Sequence, residues 1–107
     1  MRLRNAALAA ASAVALVLAV PVSANAATGE FLYKVGPGVP TGLADPASRV
    51  CIDLPDIGTQ PAFAPENLTD STATVFLDSH CDGDVFYVMN PGKRLGDRLK
   101  LRSVLFS

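Results

Sequence analysis

The sequence predicts a small all-β sandwich or barrel, and three observations carry that prediction. After residue 26 no segment sustains a period of 3.6 residues. Five short stretches are instead rich in β-branched and aromatic residues, and turns built from Gly and Pro separate them.

The first segment stands apart. Arg2 and Arg4 open it, an uncharged apolar run covers residues 6–20, Pro21 breaks it, and Ala24-Asn25-Ala26 offers a small-x-small cleavage site. Residues 1–26 therefore read as a cleavable secretory signal peptide with a short signal helix. The alternative is a membrane anchor, but the run is short of the ~20 residues a span needs. No second apolar stretch follows, so no stable membrane insertion is expected after cleavage, and the product is expected to be extracellular. Cleavage after Ala26 leaves residues 27–107, 81 residues, enough for one domain with a modest core. Without Arg2 and Arg4 the 9 basic residues fall to 7 against 10 acidic ones, a net charge of −3. That balance argues against a nucleic-acid partner.

The elements follow in order. Residues 30–35 (EFLYKV) alternate and read as a first strand, and a turn-rich loop with Gly36, Pro37, Gly38, Pro40 and Gly42 runs on to about residue 48. Residues 49–54 (RVCIDL) form a second short strand, and residues 55–65 form a loop stiffened by Pro55, Pro61 and Pro65. Residues 72–77 place Thr72, Thr74 and Phe76 on one face. Residues 78–84 make a polar turn, and residues 85–89 (VFYVM) a strand of strong β-formers. Asn90-Pro91-Gly92 has the chemistry of a tight turn. In residues 98–106 Leu99, Leu101, Ser103 and Leu105 share one face, while Arg98, Lys100 and Arg102, followed by Val104 and Phe106, share the other. The expected core draws on Val75, Leu77, Val85, Tyr87, Leu99, Leu101 and Leu105.

Cys51 and Cys81 are the two cysteines, and both follow the signal. An even count in an oxidising compartment points to one disulfide. Metal ligation and redox chemistry are the competing readings. There is no CxxC, and His80 is the lone histidine, so a four-ligand zinc site would need a carboxylate as well.

Phe76, then Gly83 after six residues, and Ser103 in the closing strand resemble the Greek-key motif of the βγ-crystallin superfamily. The wider string Asn67-Leu68-Thr69-Asp70, Val75-Phe76, Cys81-Asp82-Gly83, Pro91-Gly92 and Arg102-Ser103-Val104 is similar to small secreted bacterial members, including the actinobacterial peptidase-inhibitor family. The resemblance covers residues 67–107 well and 29–66 poorly, where Tyr33 and Gly38 are one residue too close. It implies a Greek-key β-sandwich in which an aromatic covers a folded hairpin, a glycine makes its bend and a buried serine bonds to it. Many such domains bind calcium through Asp or Asn just before the closing serine. Here Arg98, Leu99, Lys100, Leu101 and Arg102 stand there, so that motif is missing.

Other candidate sites come from charge and loop composition. Asp78, Asp82 and Asp84 could hold a hard cation, or simply be solvated. Lys93, Arg94, Arg98, Lys100 and Arg102 could form a patch for an anionic polymer, or pair with neighbouring acids. No GxSxG, HExxH or phosphate-cradling glycine loop occurs, so neither catalysis nor a cofactor is expected. Asn67-Leu68-Thr69 matches a glycosylation sequon, taken here as incidental. The proline-stiffened loop, with Ile57, Gln60 and Phe63, is the expected contact of an inhibitor of an extracellular peptidase, the leading expectation for function. The alternative is a structural, envelope-associated protein holding cell-wall polymer through the basic patch.

Overall fold

The computed structural model describes residues 26–55 and 57–107. The signal peptide assigned to residues 1–26 therefore lies outside the described residues except for Ala26. Eight strands and one 3₁₀ turn form the domain, with no α-helix among the described residues. They are β1 (Gly29–Val35), β2 (Val39–Ala44), β3 (Cys51–Asp53), β4 (Ala62–Thr69), β5 (Ala73–Phe76), the turn Ser79–Cys81, β6 (Phe86–Met89), β7 (Lys100–Leu101) and β8 (Ser103–Phe106).

Two antiparallel four-stranded sheets result, with orders β2-β1-β4-β7 and β3-β8-β5-β6. The third strand of each half thus lies in the sheet of the other half. β3 pairs with β8 through Cys51↔Leu105 and Ile52↔Val104, and β7 pairs with β4 through Leu101↔Ala62.

Alternation along the strands builds the core between the sheets. Phe31 and Tyr33 point inward from β1, Ala73 and Val75 from β5, and Val104 and Phe106 from β8. Phe31 meets Phe106 edge to face, with ring centroids 5.4 Å apart, and so joins the two sheets. Leu54, Ala62, Met89 and Leu101 complete the interior with Ala27.

Two strands lie where the sequence was expected to form loop, β2 and β4. Pro40 is tolerated because β2 is a sheet edge. Pro65 is tolerated because β4 bulges beside it. Leu32 faces Glu66 while Lys34 faces Phe63, so Ala64 and Pro65 together oppose Tyr33, and Ala64 takes φ 55°.

The final segment also departs from its expected pattern. A bend at Arg102 divides it into β7 and β8 in different sheets, which reverses the faces after Leu101. Val104 and Phe106 are buried, and Leu105 is half-buried on the outer face. Leu101 and Val75 belong to the core as expected. Leu77 and Leu99 are half-buried, while Val85 and Tyr87 remain 44% and 47% exposed because their strand is an open edge.

Candidate binding surface

The segment between β3 and β4 is held at its entry and at its tip. Buried Leu54 donates its N–H to the Arg102 carbonyl at 2.9 Å, and the Arg102 guanidinium reaches back to the Thr59 carbonyl at 3.2 Å. One residue thus holds the entry and the tip of the loop. Ile57 turns inward and packs against the core, whereas Gly58 (φ 62°), Thr59 and Gln60 form an exposed tip. Phe63 lies beyond the loop, inside β4, opposite Lys34 and Lys100, with the Lys100 ammonium 4.7 Å from its ring centroid. Of Ile57, Gln60 and Phe63, Gln60 is therefore the one on the exposed tip.

The long hairpin between β5 and β6 folds back over the second sheet. Leu77 N–H closes its base on the Val85 carbonyl at 3.1 Å. Gly83 has φ 85°, and a Cβ there would collide with the Asp78 carboxylate. Buried Ser103 donates from Oγ to the Asp78 carbonyl at 2.6 Å and accepts from Cys81 N–H at 2.8 Å. The Phe76 and Phe86 rings sit 5.9 Å apart across the base. The structure therefore gathers Phe76, Gly83 and Ser103 around one hairpin. The first half has nothing comparable, because β1 and β2 are joined by Gly36-Pro37-Gly38 alone, with Gly38 N–H bonded to the Val35 carbonyl.

Cys51 and Cys81 form the expected disulfide, with Cα atoms 5.9 Å apart, which fastens the hairpin to β3. His80 and Cys81 both take positive φ, 62° and 54°. His80 is held there by Asp53, which accepts from its N–H at 2.6 Å and lies 2.8 Å from its Nδ1.

Among the described residues no group of three or more His, Cys, Asp or Glu is placed to hold a metal ion. Asp78, Asp82 and Asp84 are exposed and do not converge.

The basic residues do not form one field. Arg94 pairs with Glu66 at 2.9 Å, Arg102 holds the loop, and Lys100 lies over Phe63 and donates to the Asp97 carbonyl at 3.2 Å. Lys93 and Arg98 are exposed. Arg94 and Glu66 also help line a cleft of about 460 Å³ beside the β4 bulge, where Lys34 and Asp97 approach to 3.7 Å. Its charges neutralise one another in pairs.

Asn67 has a role that sequence reading missed. It is fully buried, and its Nδ2 donates to the carbonyls of Ser71 at 2.8 Å and Met89 at 2.9 Å. Its Oδ1 accepts from Thr69 N–H at 3.1 Å and Thr69 Oγ at 2.7 Å. Its backbone bonds to Lys93 and Gly92 as well. The sequon asparagine is thus a junction between β4, the turn after it and the end of β6. The available signal was the spacing Asn67, Thr69, Ser71, polar groups recurring at the strand period.

Comparison with family models, with curated proteins and with solved structures finds no match to this chain. Among the described residues no helix is long and apolar enough to cross a membrane.

Proposed function

We propose that the chain is a secreted, non-catalytic binding protein on a βγ-crystallin-like frame, and that the exposed tip Gly58-Thr59-Gln60 contacts its partner, most concretely an extracellular peptidase. The observation that carries this reading is the clamp on that loop. The Arg102 carbonyl holds the entry at Leu54 and the Arg102 guanidinium holds the Thr59 carbonyl, while the residues of the tip stay exposed. A loop ordered before binding loses less entropy when it is captured, which is what an inhibitor's contact segment requires.

Two features support the frame. Each sheet takes its third strand from the opposite half, which suits two interlocked Greek keys. Ser103 binds a folded hairpin that bends at Gly83, as the resemblance implies for a closing serine. The disulfide suits an oxidising compartment. The envelope-binding alternative has less behind it, because Arg94, Lys100 and Arg102 are engaged within the domain.

The test titrates the purified protein against a panel of secreted peptidases at equimolar ratio. At least one peptidase should be inhibited. Gln60→Ala should weaken that inhibition about tenfold, some 1.4 kcal/mol, with the melting temperature unchanged. Arg102→Ala should weaken it too by releasing the tip. Inhibition of no peptidase, with sedimentation on isolated cell wall that salt reverses, would favour the envelope-binding reading.

A further inference from the structure

We infer that the chain pairs with a second copy of itself along the open edge of β6, making a two-fold dimer with a continuous sheet across the dyad. Leu77 bonds to Val85, and the ladder pairs Val75 with Tyr87 and Ala73 with Met89. Alternation then turns the N–H and C=O groups of Phe86 and Val88 away from β5, toward the side where β6 has no neighbour. Among the described residues β6 has no paired strand on that side. An edge of this kind accepts an extended strand.

The other three sheet edges are protected. β2 carries Pro40, which has no N–H to offer. β3 is three residues long, with Cys51 tied to Cys81 and Asp53 to His80. β7 is two residues long and bears charged Lys100. β6 has no proline, charge or bulge, and it exposes Phe86 at 51% and Val88 at 56%. Phe76 and its ring contact with Phe86 extend the same apolar face. Proteins blunt free edges by such devices, so their absence at one edge of four marks the edge meant to be covered.

Symmetry and charge select a second copy as the occupant. An antiparallel pair placing Phe86 opposite Val88 of the second copy is its own mate under a two-fold axis through Tyr87. Every outward donor and acceptor of both residues is then used. In this register Asp84 falls opposite Asn90 of the second copy, so no like charges meet, and residues 85–89 carry none.

Sedimentation velocity on the purified protein from about 1 to 500 μM, a range spanning typical weak self-association, should show a species of twice the chain mass growing with concentration. Val88→Lys should weaken the dimer at least about tenfold, because ammonium groups replace apolar contact on the shared face. Thr41→Lys, on the protected β2 edge, should leave it unchanged. Phe86→Lys provides a second test if Val88→Lys does not fold, and circular dichroism reports folding for each. A strictly monomeric protein overturns the inference, including the case where the edge takes a strand from a different protein. So does a dimer that survives both β6 substitutions. Peptidase inhibition plays no part in this readout, so the two proposals stand or fall separately.

Discussion

Replacing Asn67 by aspartate exchanges an amide for a carboxyl group of nearly the same shape and reverses the polarity of a buried junction. The Nδ2 group that now donates to the Ser71 and Met89 carbonyls becomes an oxygen facing two oxygens. Losing the two amide–carbonyl bonds costs about 0.5–1.5 kcal/mol each, and burying the anion against those carbonyls adds about 1–3 kcal/mol, so the ionised variant should lose roughly 2–6 kcal/mol. A protonated carboxyl can still donate to one of the two, which lowers the loss to about 1–3 kcal/mol. The new group's folded pKa is therefore raised above its unfolded value near ~3.9, because burial and the facing carbonyls disfavour the anion. Above the unfolded pKa the folded state holds more protons than the unfolded one. The variant's stability accordingly falls as pH rises from about 4 toward neutrality. At about 4–8 °C per kcal/mol for a domain of this size, the melting temperature at neutral pH should drop by roughly 10–50 °C. The assay is thermal unfolding followed by circular dichroism at several pH values, with Asn67→Leu as a non-titrating control. A melting temperature within a few degrees of the parent at neutral pH, or a deficit that does not grow with pH, would refute the reasoning.

Further substitutions test other joints of the fold. Ser103→Ala removes a donor and an acceptor from the hairpin and should cost about 1–3 kcal/mol, with faster amide exchange at Cys81 than elsewhere in the second sheet. Replacing Cys51 and Cys81 together by serine should cost about 2–4 kcal/mol, read from urea unfolding, and should leave the strand signal intact in the absence of denaturant. Leu101→Ala should cost about 2–5 kcal/mol. Val85→Ala, at an exposed position, should stay within about 0.5 kcal/mol of the parent. Equal effects from those last two would contradict the core assignment.

Much of the fold was legible in the sequence, because strands with one buried face write their alternation into the chain. Ala73 and Val75 point inward and Thr74 and Phe76 outward, as the pattern of that segment requires. The disulfide followed from count and compartment. The misreadings share a physical cause, which is that tertiary context overrode local chemistry. Pro40 is harmless at an edge and Pro65 is absorbed by a bulge, yet both look like strand breakers in isolation. Arg102 carries the chain from one sheet to the other, and no periodicity within the segment announces such a switch. The candidate loop stands out by its prolines, but the residue that anchors it lies at position 102, more than forty positions away from Thr59. A contact so remote in sequence leaves no local trace.

The exchange of third strands between the sheets has a temporal consequence. β8 is an inner strand, flanked by β3 and β5, and its residues 103–106 are synthesised after both of those strands. Until they arrive the second sheet lacks a strand between β3 and β5. β7, which borders β4 in the first sheet, arrives only just before them. Neither sheet can close as a separate unit, and long-range pairings of this sort are slow to form because loop closure precedes their reward. Both sheets therefore stay incomplete until residues 100–106 have been made, so the pairings that close the domain include the most distant in sequence.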